Sequence, residues 1–246
     1  AAMSGAGTAS ATCASISGIG NSAECNSTPT SFAVGIGPNT FASANGLFTG
    51  AIAVGLNNGA ADSTFAYSEG AFSYALASGK NTEADAIGNL ALAAAIGDNL
   101  YAQAGDSPGD NLNVALNLAP GETGGPFGID NSVYAMGQGN LAVNLGGTSS
   151  ATRINLEQAF GSFNTAFNLG GKGNSVSAGN AFFDDVPAGP STGGVAFNAF
   201  GDDNDVTAIG PGAFAGTLGV SNLNAAGGNA VNQVGFGFNV KTPLNP

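Results

Sequence analysis

The chain has 246 residues, including 41 glycines, and it contains neither tryptophan nor histidine. Charged residues make up only 8% of it, against about 25% in an average soluble domain. Sixteen acidic and four basic residues give a formal net charge of −12. This balance leaves no basic patch for phosphate groups and excludes nucleic acid as a partner. The apolar fraction of 43% argues against a disordered chain.

The N-terminal region, residues 1–30, is predicted to form an arm or cap ahead of a single repeat-built β body over 31–246. It begins on small residues without a methionine, as a chain does after signal-peptide cleavage, so we expect a secreted protein, extracellular or at the cell surface. The two cysteines, Cys13 and Cys25, are expected to form a disulfide, as such pairs usually do in secreted chains. No apolar run reaches the roughly 18 residues of a membrane helix, so no membrane span is predicted.

Short stretches of alternating residues begin at residue 31. Within 31–36, 51–56 and 71–76, every second residue is a larger apolar one. Residues i, i+2 and i+4 share one face of a strand, whereas a helix would place apolar residues at i, i+3 and i+4. The alternation therefore predicts a series of short strands.

The segment 86–106 tests this interpretation, because its centre, LALAAAI, would suit a helix on composition alone. Two breaks, Gly88-Asn89 and Gly97-Asp98-Asn99, confine it to a length below that of an average helix. We expect the breaks to turn corners, with a strand between them. The residues expected to point inward together are Leu90, Leu92, Ala94 and Ile96.

Glycine breaks with Asn, Asp, Pro or a second Gly recur along the chain at an irregular spacing of about nine to twelve residues, as in the turns of an all-β protein. A sandwich or a barrel would share this pattern. An all-β solenoid, or β-helix, of short stacked strands with Gly/Asn corners is favoured because small residues suit a narrow core and asparagine tolerates left-handed backbone. Departures from the repeat predict loops at 120–130 and 183–194 and a helical turn within 153–163.

Three segments of the chain carry a resemblance to a known family: SFAVGIG at 31–37, NSVYAMG at 131–137 and NDVTAIG at 204–210. They resemble the head repeats of trimeric autotransporter adhesins, which have an S-V-A-I-G-like core in a β-roll. The resemblance implies a surface adhesin with stacked short strands. Most of the chain is also similar in composition to Gly/Ala/Asn-rich secreted repeat proteins of actinobacterial cell surfaces.

Catalytic groups are scarce in this sequence. Histidine is absent, the cysteines are expected to pair, and no serine lies in a G-x-S-x-G turn. The residues that nucleophilic catalysis requires are therefore missing, and we predict that the protein is not an enzyme. Acids that could serve as paired carboxylates are interpreted as solvated loop residues: Asp184, Asp185, Asp202, Asp203 and Asp205. Two of them, Asp203 and Asp205, have the alternate spacing of oxygen ligands for Ca²⁺, which we keep as a minority hypothesis. No other cofactor is predicted.

The leading functional hypothesis is a secreted structural protein that self-assembles into an extracellular fibre or surface layer. Its partner would be itself, as a homo-oligomer or filament, through β-strand contacts between subunits, because open strand edges template pairing. The segment 229–240 is the predicted contact strand, with Val231, Val234, Phe236, Phe238 and Val240. The alternative is a cell-surface adhesin or another binding module with a β-roll head. An enzyme on a β-helix scaffold ranks last.

Overall fold

The computed structural model describes residues 12–55, 59, 62–119, 132–146, 156–179, 192–221, 231–234 and 237–241. Within these ranges the chain forms β-strands and no helix, and therefore no helix that could cross a membrane. In chain order the strands are β1 Thr12–Ile16, β2 Cys25–Ser27, β3 Phe32–Ile36, β4 Thr40–Leu47, β5 Gly50–Val54, β6 Thr64–Ala71, β7 Tyr74–Ser78, β8 Thr82–Asn89, β9 Leu92–Ile96, β10 Tyr101–Ala104, β11 Val114–Leu118, β12 Ser132–Gln138, β13 Leu141–Leu145, β14 Leu156–Ser162, β15 Thr165–Leu169, β16 Ser175–Ala178, β17 Val195–Ala199, β18 Asp205–Ile209, β19 Ala213–Leu218, β20 Val231–Val234 and β21 Gly237–Lys241.

The strands alternate between two sheets. Odd-numbered strands form an 11-stranded sheet, called sheet A here, and even-numbered strands form a 10-stranded sheet, sheet B. Each coil of the chain therefore contributes one strand to each sheet, and the strands stack in parallel on those of the next coil, as Ala51 does on Ala33 and Ala75. This architecture confirms the predicted β-solenoid.

The core between the two sheets consists mainly of alanine. Along β9 and the residue before it, Ala91, Ala93 and Ala95 are at most 1% exposed, whereas Leu92 and Ile96 are 41% and 42% exposed. The predicted inward direction was therefore wrong for Leu90, Leu92 and Ile96, whereas Ala94, on the same side of β9 as Leu92, is covered to 8% exposure. The connections explain why: two residues separate β8 from β9 and four separate β9 from β10, so the sheets are held too close together for a layer of large side chains.

The corners depend on left-handed backbone. The predicted corner at Gly97-Asp98-Asn99 is confirmed, with φ of 140° at Gly97 and 55° at Asn99. The other predicted corner lies slightly later, because Gly88 and Asn89 end β8 and the chain turns at Leu90, whose φ is 57°. Phenylalanines and leucines occupy the same left-handed corner position in other coils, and all are about half exposed: Phe48, Phe72, Leu112 and Phe163.

In the C-terminal part of the solenoid, asparagine replaces alanine in one inward column. Asn117 stacks on Ala95 and is followed by Asn144, Asn168 and Asn198. The side-chain amides of Asn144, Asn168 and Asn198 each donate to the Oδ1 of the preceding asparagine, at 2.9, 2.9 and 2.7 Å in turn. Such a ladder satisfies polar groups that would otherwise be buried without partners.

The N-terminal end differs from the other coils. Strand β1 pairs with β3 in the antiparallel direction, and the predicted disulfide is confirmed: Cys13 in β1 is joined to Cys25 in β2. The bond links the first strand of sheet A to the first strand of sheet B, so it fixes one end of the stack.

Two further local predictions can be compared with the structure. The helical turn predicted within 153–163 was wrong, because Leu156–Ser162 is strand β14, paired in register with β12. Strand β14 lies between β12 and β16 in sheet B, and pairing with these neighbours overrides local helix propensity. The predicted loop at 120–130 and residues 183–191 of the second loop lie outside the described residues.

Candidate functional site

The outer side of sheet A carries a continuous apolar surface. Nine strands, β3 to β19, each place three alternate residues there, and none of those residues is charged. We call this surface the apolar face. Its central column runs through Val34, Ile52, Leu76, Ala94, Leu116, Val143, Phe167, Phe197 and Gly216.

The flanking columns of the apolar face are similar in character. One begins at Phe32 and includes Leu92, Leu141 and Phe214, and the other begins at Ile36 and ends at Leu218. At usual strand spacings the face measures about 40 Å by about 17 Å, or roughly 700 Å² in projection. That is larger than the roughly 300–600 Å² of the largest apolar patch on a typical monomer.

The described acidic residues lie elsewhere. They occupy sheet B, the corners and the connecting segments: Glu24, Asp62, Glu69, Glu83, Asp85, Asp98, Asp106, Asp110, Glu157, Asp202, Asp203 and Asp205. The described charged side chains therefore lie on sheet B and around the margin of the apolar face, as Asp98 does two residues after Ile96, and none lies within the face. The sequence shows that small and large residues alternate along the strands of sheet A. It does not show which of the two sets faces outward, because that depends on the narrow core.

The predicted contact strand supplies the last strand of each sheet. Val231 and Val234 lie in β20 and pair with Val206 and Ile209 of β18. Phe238 and Val240 lie in β21 and pair with β19, while Phe236 falls outside the described residues. The described chain places no strand beyond β20 or β21, so these two strands form the C-terminal end of the stack. Whether they contact another subunit stays a prediction.

The two candidate calcium ligands lie at a corner and in the following strand. Asp203 has a left-handed φ of 53° and its backbone N–H donates to the Lys172 carbonyl, and Asp205 begins β18. Buried Asn204 lies between them. Across the described residues no group of three or more acidic or cysteine side chains is arranged to hold a metal ion, so calcium binding stays a prediction. Asp184 and Asp185 lie outside the described residues.

Sheet B has a different outer surface, on which aromatic and acidic residues share a groove of about 610 Å³. Phe41 of β4 and Phe65 of β6 stack with ring centroids 4.8 Å apart. Register places Glu83 of β8 next to Phe65. At the other end, Glu24 precedes Cys25, the partner of Ala42, and so lies beside Phe41.

A second column runs beside the first, through Ser43, Tyr67, Asp85 and Gln103. The Tyr67 hydroxyl donates to Glu69 in a short hydrogen bond. The Tyr101 hydroxyl lies within hydrogen-bond reach of Asp85 Oδ2 at 3.3 Å and of Gln103 Oε1 at 3.1 Å. The two carboxylates of β8 thus stand between Phe65 and Tyr67 of β6 on one side and Tyr101 and Gln103 of β10 on the other.

Electrostatics in this groove favour protonated acids. Burial, followed by repulsion from Glu83, raises the pKa of Asp85 to about 7, although the Tyr101 hydroxyl opposes this shift. Burial also raises the pKa of Glu83. The pKa of Tyr101 rises because of burial and the nearby negative charges. At neutral pH the Asp85 carboxyl is therefore protonated in a large fraction of the molecules, and no described basic side chain lines the groove to favour its charged form.

Comparison with known proteins gives no match: no family model, no curated protein and no solved structure aligns with this chain.

Proposed function

We propose that the protein is a secreted structural protein whose copies associate into a fibre or surface layer. The observation that carries the proposal is the apolar face of sheet A. The face exposes rows of Leu, Ile, Val and Phe while the core is filled with alanine. In a protein that acts alone, the larger apolar groups would be expected inside.

The size of the apolar face supports a second copy of the same chain as its occupant. Two sheets can pack face to face about 10 Å apart with interdigitated side chains. The area of roughly 700 Å² per copy approaches the roughly 800 Å² per partner of a standard stable interface. No charge has to be desolvated, because no charged residue lies on this face.

A face-to-face contact of this kind covers the apolar face of both copies and leaves none for a third. Growth of a filament therefore needs a second contact. The ends of the stack are suited to it, because the edges of β20 and β21 can accept strands of a neighbouring subunit. A head-to-tail contact that does not close a ring gives filaments. We propose that the face pairs the copies and the strand edges extend the pairs.

Each contact has its own test. Light scattering with size-exclusion chromatography should detect pairs or larger species, and negative-stain electron microscopy should show filaments. Leu116→Lys at the centre of the apolar face should break the pairs, because it would bury an unpaired charge. Met136→Lys, on the outer side of sheet B, is the matched control and should leave pairing intact.

Deletion of 229–246 should remove filaments and leave pairs. A wild-type protein that is monomeric at high micromolar concentration would contradict the proposal. Filaments that survive the deletion would overturn the role of the strand edges alone.

The alternative function, a cell-surface adhesin with a β-roll head, is favoured by one observation. The groove of sheet B presents aromatic and acidic side chains on the side opposite the apolar face, where they would remain accessible in a paired assembly. Selective retention of bacterial or host surface material by the wild type, lost on substitution of groove residues, would favour this alternative.

A further inference from the structure

We propose that the groove of sheet B is a binding site for a linear organic cation, with an ammonium group at each end of an apolar chain. Small diamines and polyamines have this chemistry. The inference goes beyond self-assembly and does not depend on it, because the groove and the apolar face lie on opposite sheets.

The order of side chains along the groove matches such a ligand. One column reads acid, ring, ring, acid: Glu24, Phe41, Phe65 and Glu83. Glu24 and Glu83 are three strand spacings apart, or about 14 Å. A ligand that reaches both carboxylates must therefore be extended, with its apolar part over the two phenylalanines.

The end of the groove that contains Glu83 and Asp85 has two acidic side chains and, among the described residues, no basic one. Glu83 and Asp85 are alternate residues of β8 and share its outer face, and each is partly buried. Lys80 pairs with Asp62 at 3.3 Å, and neither Lys80 nor Lys172, the two described side chains with a positive charge, lines the groove. A ligand ammonium group would supply the missing charge with three N–H donors.

The aromatic part of the groove favours an organic cation over a bare metal ion. Phe41 and Phe65 stack nearly parallel, with 12° between the rings, and Phe65 is 39% exposed. The rings cover each other's inner faces, so their outer faces, on the sides of Glu24 and Glu83, are left to attract ammonium groups, and their edges are left for the methylenes between them. Calcium instead takes six to eight oxygen ligands, and two carboxylates beside phenylalanine rings do not provide them.

The groove is open to solvent on the acidic side of the molecule, and the net charge of −12 would attract cations towards it. Tyr67 lines the groove with its hydroxyl bonded to Glu69, and the Tyr101 hydroxyl beside the groove lies within hydrogen-bond reach of Asp85. The site is thus formed before the ligand arrives, which favours binding.

The test is isothermal titration calorimetry on the whole chain at pH 8 and low salt, with 1,8-diaminooctane as the probe. We expect saturable binding of one diamine per chain. The uncharged 1,8-octanediol should give no binding, and calcium chloride should not displace the diamine. Glu83→Gln and Phe65→Ala should each weaken binding at least tenfold, whereas Asp106→Asn, a charge removed outside the groove, should not.

A second comparison tests the two-ended geometry. Octylamine should bind the wild type more weakly than the diamine, and Glu24→Gln should lower diamine affinity to that of octylamine. Equal weakening by Asp106→Asn would overturn the proposal, since it would indicate attraction to net charge alone. Displacement by calcium, or binding of the diol, would also overturn it. Circular dichroism of each variant separates loss of binding from loss of fold.

Discussion

Ala93 and Leu92 are consecutive residues of β9 with opposite surroundings: Ala93 is fully buried between the two sheets, and Leu92 is 41% exposed on the apolar face. The smaller residue forms the core because the neighbouring coils place alanine above and below it, at Ala75 and Ala115. The larger residue is left to stack on Tyr74 and Val114 outside. The alanine core and the exposed apolar face are therefore formed by opposite sides of the same strand.

Substitutions that change the side-chain size at Ala93 and at Leu92 should affect the stability of the chain and its self-association separately. Ala93→Leu forces extra methylene groups between closely spaced sheets and should lower the free energy of unfolding by about 1–3 kcal/mol. Leu92→Ala should change it by less than about 1 kcal/mol and weaken self-association instead. Urea unfolding followed by circular dichroism, at a concentration where the chain is monomeric, measures the stability of both variants, and light scattering at higher concentration measures their self-association. A larger loss for Leu92→Ala would contradict an alanine core.

The asparagine ladder gives a second prediction. Asn144 donates to Asn117 and accepts from Asn168, so Asn144→Ala would leave a buried acceptor and a buried donor unpaired. Each such group costs about 1–3 kcal/mol, and the variant should lose about 2–4 kcal/mol in urea unfolding. Gln138→Ala, an exposed amide at the end of β12, is the control and should lose less than about 1 kcal/mol. Similar losses for the two variants would argue against a structural role for the ladder.

The corner between β8 and β9 gives a third prediction, with two substitutions of opposite sign. A Cβ atom at Gly88, where φ is 114°, would lie 2.1 Å from the Asp110 carbonyl oxygen. Gly88→Ala should therefore separate neighbouring coils and lower the melting temperature sharply. Leu90 has a left-handed φ of 57°, which costs a residue with a Cβ about 1–2 kcal/mol, so Leu90→Gly should be neutral or stabilising. Calorimetry that shows Leu90→Gly as the more harmful change would refute this account.

Much of the fold could be predicted from local pattern. The alternation in 31–36 and in the described part of 51–56 corresponds to β3 and β5, because alternate side chains face opposite sides of any strand. The stretch 71–76 overlaps β7 only from Tyr74 onward, because Ala71 ends β6 and Phe72 turns the corner with a φ of 56°. The corner at Gly97-Asp98-Asn99 followed from the residue types that tolerate left-handed backbone. These features depend only on neighbours in the sequence.

The direction of the side chains could not be predicted in the same way. Alternation defines two faces without stating which is buried, and the usual preference for large apolar residues inside assigned Leu92 and Ile96 to the wrong side. The groove of sheet B was also missed, because Glu24, Phe41, Phe65 and Glu83 become neighbours only through the register of four strands. A register of this kind has no signal within any single segment.

The last prediction concerns pH, and it rests on Asp85. The pKa of its carboxyl is raised to about 7 by burial and by Glu83, whereas an unfolded chain has an aspartate pKa near 3.9. Groups that face it are Glu83 on the same strand, Tyr67 and Glu69 on β6, and Tyr101 and Gln103 on β10. Between these two pKa values the folded chain holds a proton that the unfolded chain has released.

Stability must therefore fall as the pH rises from about 4 to about 7, and this contribution levels off above about pH 8. The full shift corresponds to at most about 4 kcal/mol. Glu83 acts in the same direction, because its pKa is also raised. Asp85→Asn keeps an acceptor for the Tyr101 hydroxyl and cannot ionise, so it should flatten most of the decline and unfold at a higher temperature than wild type at pH 8. Melting temperatures of both proteins, measured from pH 4 to pH 9 by circular dichroism, decide the matter: an equal decline in the variant would show that other groups cause it.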